Sequence, residues 1–272
     1  MKPSSRLPWL AILTVLALLW LLPFYTMLGN SLKTMREISQ SQYVLPPRGL
    51  ELQNYFVAFQ VLRHGLVNSA LVSVPATILA VLLGSLAGFF LARMRLRFAR
   101  SIFFIATIAT FLPYQIVLIP LTQFLATFKL VNTRPGLIIA YLILNTPMAA
   151  LITATFFQTI PAEVQEAAAL DGCGPVTFYW RILLPVAQLG IISTAILIFT
   201  LVWNEFLIAT AMTQGPFNQM ATPVLAGLRG NYAQLWHIQM AGATLTSVPP
   251  LAIFVFLGRY FVSGLMAGTL KG

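Results

Sequence analysis

An all-α integral membrane protein with six transmembrane helices is the fold class this sequence predicts, and three observations predict it. Only 8% of the 272 residues are charged while 58% are hydrophobic, where soluble domains carry roughly a quarter charged residues. The mean hydropathy is +0.85, and the apolar residues collect into runs of about the twenty that a bilayer requires. Arg93, Arg95, Arg97 and Arg100 follow one such run, which marks a cytoplasmic loop by the positive-inside rule.

Taken in order, Lys2 and Arg6 precede a first span over Pro8 to Leu28. A retained helix is preferred to a cleaved signal peptide, because the run is long and no small-x-small pattern follows it cleanly. Gly29 to His64, broken by Pro46, Pro47 and Gly49, reads as an exposed excursion. Gly65 to Ala92 is the second span and ends in the arginine cluster. Ser101 to Leu125 is the third, interrupted by Pro113 and Pro120, either of which frees a carbonyl and favours a kink. Leu137 to Phe157 is the fourth. Val186 to about Met212 is the fifth, and Thr213 to Gln239, rich in Gly and Pro, an outside loop. Met240 to Val262 is the sixth, with Pro249 and Pro250 in its middle. The chain is thus expected to divide into residues 1–64 (first helix and extracytoplasmic segment), 65–258 (a five-helix core) and 259–272 (end of the sixth helix and cytoplasmic tail).

In a soluble domain the net charge of +10 would suggest a nucleic-acid partner. Here the basic residues sit mostly at the ends of apolar runs, so they orient the chain in a membrane, and no nucleic acid is expected. With both termini inside, the arginine cluster, Arg181, Arg259 and Lys271 fall on the cytoplasmic side. The single cysteine excludes an internal disulfide. No Gly-x-x-x-x-Gly-Lys-[Ser/Thr] occurs, so a nucleotide is expected on another chain.

Residues 161–185 form a loop between the fourth and fifth spans that carries its own structure. Pro161 suits a first helical turn, and Glu163 and Glu166 complement the positive end of the dipole. Ala167, Ala168 and Ala169 favour helix and let another protein approach the backbone. Gly172 supplies a left-handed end to that helix, Asp171 bonds nearby N–H groups, and Gly174-Pro175 starts a second short helix running to Pro185.

The order Glu166-Ala167-Ala168, Asp171-Gly172, Phe178-Tyr179 and Leu184-Pro185 resembles the EAA loop of ABC-importer permeases, departing from it mainly at Cys173, where a small residue such as Ala or Ser is usual and the size is kept. Leu52 to Tyr55, Asn68-Ser69, Leu112 to Gln115, Asn132-Thr133, Trp203 to Phe206 and the ending from Arg259 to Gly272 extend the resemblance over almost the whole chain. It is closest to the carbohydrate-uptake type, of which the maltose transporter's smaller permease is the best-known member. The resemblance implies a type I importer permease fold in which Glu166, Ala167, Ala168, Asp171 and Gly172 belong to a cytoplasmic coupling helix. It also implies four kinds of partner: the membrane, a homologous permease, an ATPase dimer and an extracytoplasmic solute-binding protein. ATP and Mg would be held by the ATPase, with no cofactor on this chain, which is then no enzyme. A sugar or polyol-type solute is expected.

Gln115, Asn145, Asn204 and Glu205 are candidates for the solute pathway. The three amides would bond sugar hydroxyls or tie helices together. Glu205 is the only acidic residue beside a span outside the loop, yet it lies about 30 Å of helix beyond Pro185 and also suits the outer interface. Trp180 and Trp203 read as interfacial anchors. His64 and His237 have no neighbouring ligand cluster, so no metal site is expected. A stand-alone, ion-coupled secondary transporter is the rival reading; it would require paired ionisable groups near the midplane and an internal repeat.

Overall fold

The computed structural model describes residues 7–40, 42–94, 98–111, 113–215, 217–228 and 235–269. Lys2, Arg6, Arg95, Arg97, Leu112 and the last residues Leu270 to Gly272 lie outside them. Among the described residues every regular element is helical.

Helix α1 (Leu7–Ser31) fills the first predicted span. The short α2 (Met35–Ser39) opens on a capping box, in which Glu37 N donates to Thr34 Oγ1 at 3.3 Å and Thr34 N donates to the Glu37 carboxylate at 2.9 Å. Helix α3 (Gln53–Arg93) starts well before Gly65, the expected beginning of the second span. No Pro or Gly interrupts residues 53–64, and Asn54, Ala58 and Leu62, one turn apart, are all buried. The polar excursion therefore ends in a helix with its own buried stripe.

The third predicted span is two helices of 13 residues, α4 (Ala99–Phe111) and α5 (Gln115–Thr127). Pro113, which has no N–H to continue a helical ladder, lies between them, whereas Pro120 is carried inside α5. Helix α6 (Arg134–Thr159) has Pro135 in its first turn and Thr133 as its cap, Gly136 N donating to Thr133 Oγ1 at 3.1 Å. The loop after it holds α7 (Ala162–Leu170), α8 (Pro175–Phe178), a π-helical turn over Tyr179–Leu183, and α9 (Leu184–Val186).

The fifth predicted span does not run to Met212. Helix α10 (Gln188–Asn204) stops there and α11 (Leu207–Met212) begins afresh, for a reason that lies in Glu205 and is given below. The expected outside loop carries α12 (Ala221–Gly227), and α13 (Trp236–Thr269) begins a turn before Met240.

Four of these helices (α1, α3, α6 and α13) are long and apolar enough to cross a membrane, and a fifth crossing arises if Pro175–Val186 and Gln188–Asn204, bent by 79°, form one span. The chain folds as two compact units, residues 1–63 with 224–248 and residues 64–223 with 249–272. In the first, the buried Lys33 ammonium donates to Asn30 Oδ1 at 2.8 Å and to Gln42 O, while Asn54 Nδ2 donates to Ser31 O and Lys33 O at 2.9 and 2.8 Å. A buried cation is tolerated because every contact made here is to an oxygen.

The second unit is built on the crossing of α3 with α6. Gly84 and Gly88 are one turn apart on α3; a Cβ at Gly84 would lie 2.5 Å from Ala149 Cβ, and one at Gly88 2.5 Å from Thr153 Oγ1. The two backbones thus touch through small residues, which is how helices gain packing where lipid offers no hydrophobic drive. Val72, Ala76, Ala80, Tyr141, Ile198 and Val202 continue this core.

Candidate functional site

In residues 161–187 the first helix forms as expected, while the second, expected to run on to Pro185, gives way after Phe178 to a π-helical turn over Tyr179–Leu183. Pro161 stands in extended geometry immediately ahead of α7, with Glu163 in its first turn. At the other end Gly172 has φ +77°; Cys173 N donates to Ala168 O at 2.9 Å and Gly172 N to Ala169 O at 3.0 Å. This is a Schellman ending, and the left-handed residue in it is the glycine. Glu166, Ala167, Asp171 and Gly172 are exposed and Ala168 is buried. Beside them Leu170 is 89% exposed and Val176 72%, so an apolar surface rims the turn.

The inner face of this loop is fastened to α3. Phe89 packs its ring against Phe178 and Tyr179, at centroid separations of 6.3 and 5.5 Å. Tyr179 Oη and Ser85 Oγ share a buried hydrogen bond of 2.7 Å. The Arg93 guanidinium donates to Phe157 O and Ile160 O, the carbonyls that end α6, where a cation also meets the negative end of the helix dipole. Gln165 Nε2 on α7 donates in turn to Arg93 O at 3.5 Å.

A second cluster surrounds Glu205. Its carboxylate accepts from the backbone of Leu207 at 2.7 Å, Ile208 at 2.9 Å and Ala209 at 3.0 Å, and so satisfies the first N–H groups of α11 from outside the helix. That competition for backbone donors ends α10 and starts a new helix. Tyr141 Oη donates to the same carboxylate at 2.9 Å and Tyr114 Oη at 3.3 Å, while Thr222 Oγ1 donates to Glu205 O at 2.7 Å. Gln115 is exposed at the first residue of α5. Asn145 and Asn204 bond back to their own helices, through Tyr141 O at 2.8 Å and Thr200 O at 2.9 Å, rather than tying helices together. Trp203, expected as an interfacial anchor, is buried and stacks on Phe199 at 5.5 Å; Trp180 is half exposed.

Sequence reasoning missed what fixes residues 213–222. Arg134 Nε donates to Asn68 Oδ1 at 2.9 Å, and Asn68 Nδ2 donates to Phe217 O and Gln219 O at 2.7 and 2.9 Å. Ser69 Oγ accepts from Ala221 N at 2.9 Å and Asn132 Oδ1 from Gln214 N at 2.8 Å. Amides and a hydroxyl just inside span ends were the available signal, because such groups at membrane depth must find partners.

Comparison with known proteins agrees with this geometry. Residues 80–266 match the family model described as the binding-protein-dependent transport system inner membrane component. The glucose import system permease protein GlcU of Saccharolobus solfataricus is 32% identical over 276 residues, covering 98% of this chain and 96% of that one. The sulfoquinovosyl glycerol transport system permease protein SmoH of Agrobacterium fabrum is 31% identical over 254 residues, covering 93% and 89%. In fold, the chain is similar to a chain from the crystal structure of a bacterial ABC transporter involved in import of the acidic polysaccharide alginate, with a TM-score of 0.80 at 17% identity over 96% of this chain and 99% of the other. The chain belongs to the binding-protein-dependent transport system inner membrane component family, and is therefore a multi-pass permease of an ABC importer rather than an enzyme.

Proposed function

We propose that this chain is one of two permease halves of an ATP-driven importer for a sugar or a small glycoside, and that Glu166 to Gly172 is the helix that docks on its ATPase. The observation that carries this reading is the exposed α7 turn, rimmed by Leu170 and Val176, on an inner face fastened to α3 and α6. An exposed apolar rim around small residues suits a partner that approaches the backbone closely. The solute class rests on the full-length relatives, whose names specify glucose and sulfoquinovosyl glycerol.

In this reading the membrane is crossed six times, α4 with α5 forming one crossing and the bent 175–204 pair another. Both termini are cytoplasmic, and residues 1–64, 65–258 and 259–272 serve as entry helix, permease core and tail. A homologous permease, an ATPase dimer holding ATP and Mg, and an extracytoplasmic binding protein complete the assembly, with no cofactor on this chain. The solute passes the level of the two helix breaks, which the Tyr114 to Glu205 bond joins, with Gln115 and Asn204 the adjoining residues along the chain and Asn145 one turn along α6 from Tyr141. ATP closure of the dimer moves the docked helix, and the membrane helices follow as rigid bodies. A secondary transporter would use Glu205 as a carrier, but its carboxylate is occupied in holding α11.

Uptake by right-side-out vesicles, with and without internal ATP, tests the reading. ATP-dependent accumulation of glucose or a glycoside, requiring the binding protein, is the expected result. Uptake by the isolated chain driven by an ion gradient would overturn it.

A further inference from the structure

Ser85, Phe89 and Arg93 stand four residues apart on α3 and so share one face of it. Each meets the 157–187 segment by a different interaction: a hydroxyl pair with Tyr179 at 2.7 Å, ring packing on Phe178 and Tyr179, and the guanidinium on Phe157 O and Ile160 O. Arg93 also accepts, through its own carbonyl, from Gln165 of α7. The sequence explains Arg93 as one of four charges that orient the membrane, but a charge for orientation needs only to be solvated on the correct side. This guanidinium is partly buried; its Nη2 donates to both carbonyls while its Nε is buried without a partner.

We infer that Arg93 is a positioning residue that locks α7 to the ends of α3 and α6, so that a displacement of the loop is delivered to α3 without slippage. This rests on the reading of α7 as the ATPase-docking helix. One terminal nitrogen, Nη2, donates to both carbonyls, and the planar guanidinium behind it is more rigid than a lysine ammonium on its flexible stem. Removing the guanidinium leaves the two α6 carbonyls without this donor and loosens the α7 hinge next to Pro161. Arg97→Gln removes the same charge from the same cluster and separates orientation from positioning.

The test uses the whole complex, purified from the native membrane through a tag on this chain and carrying spin labels at Leu79→Cys on α3 and Glu163→Cys on α7 in a Cys173→Ser background. The distance distribution between the labels is recorded by pulsed electron resonance without nucleotide and with ATP and vanadate. In the parent and in Arg97→Gln it should be narrow and the same in both states. In Arg93→Gln it should broaden, with ATP-driven uptake of labelled glucose or glycoside per complex falling about tenfold, as for one lost charge-assisted hydrogen bond, and ATP hydrolysis retained. Arg93→Lys should recover part of the uptake. If Arg93→Gln fails to assemble, Tyr179→Phe removes the hydroxyl pair of the same face and should broaden the distribution to a smaller degree. An Arg93→Gln distribution identical to the parent's, or a parent distribution that shifts with nucleotide, overturns the inference. If no ATPase copurifies, the docking reading fails, while the nucleotide-free comparison still decides whether Arg93 fastens α7.

Discussion

The Glu205 carboxylate accepts from the backbone N–H groups of Leu207, Ile208 and Ala209 and from Tyr141 and Tyr114. Removing it exposes three helix donors at once. Glu205→Ala should therefore lower the stability of the assembled permease by about 1–2 kcal/mol, the cost of a lost cap, and Glu205→Gln by less, because an amide oxygen still accepts. Thermal unfolding of the purified complex, followed by tryptophan fluorescence, checks both. If Glu205→Ala and the parent melt together, the carboxylate does not hold α11. A second residue gives a pH signature. N–H groups of Arg48 and Thr34 that donate to Glu37 hold its carboxyl below the ordinary glutamate value of 4.5. A lowered folded pKa contributes stability that is complete above the ordinary value and lost as pH falls through the folded one. Amides of residues 34–48 should consequently exchange faster, relative to the intrinsic rate, only below about pH 4.5, and Glu37→Gln should abolish that acid step. Exchange that accelerates identically in Glu37→Gln would remove the assignment.

Among the elements, α7 depends on one backbone conformation. Gly172 has φ +77° and open space around its Cα, so Gly172→Leu meets no clash within this chain. Its cost is the left-handed strain of about 1–2 kcal/mol and the bulk it adds to the docking face. ATP-driven uptake should fall well below that of Gly172→Asn, which tolerates the conformation; equal uptake by the two variants would show that bulk at this turn is harmless. The α3–α6 crossing is limited by space instead. At Gly84 and Gly88 even a methyl group overlaps α6, so Gly88→Val should destabilise by about 1–3 kcal/mol through overpacking and reduce the yield of folded chain in detergent. A normal yield and melting point would contradict the close crossing. The helices of this region were legible where local chemistry set them: Pro161 and Gly172 bound α7 and Pro175 starts α8, whereas α6 begins at Arg134, ahead of the expected Leu137. The breaks were legible only in part, because Pro113 announces itself by its ring, while Glu205 ends α10 through bonds to residues two to four ahead that hydrophobicity does not reveal. The anchoring of the loop was invisible, since Arg93 is equally a charge for orientation and only the fold brings Phe157 and Ile160 to it.

For the whole molecule, Cys173 is the single thiol and lies directly after the exposed turn. In the proposed assembly a membrane-impermeant maleimide leaves it unmodified in intact cells and modifies it in inside-out vesicles stripped of the ATPase, and restoring the ATPase slows the reaction because reactivity follows exposure. Modification from outside intact cells would reverse the orientation; a rate indifferent to the ATPase would detach this turn from docking. Each of the two helix breaks, between Phe111 and Gln115 and between Asn204 and Leu207, leaves backbone groups outside a helical ladder, and the Tyr114 to Glu205 bond of 3.3 Å brings them to one level. Hydrocarbon cannot solvate such groups; at the second break Glu205 and Thr222 supply the partners instead, and the two breaks together form a polar seam in an oily wall. Deuterium should thus reach the amides of Gln115 and Phe206, which stand at the edges of this seam, sooner than those at the centre of α6.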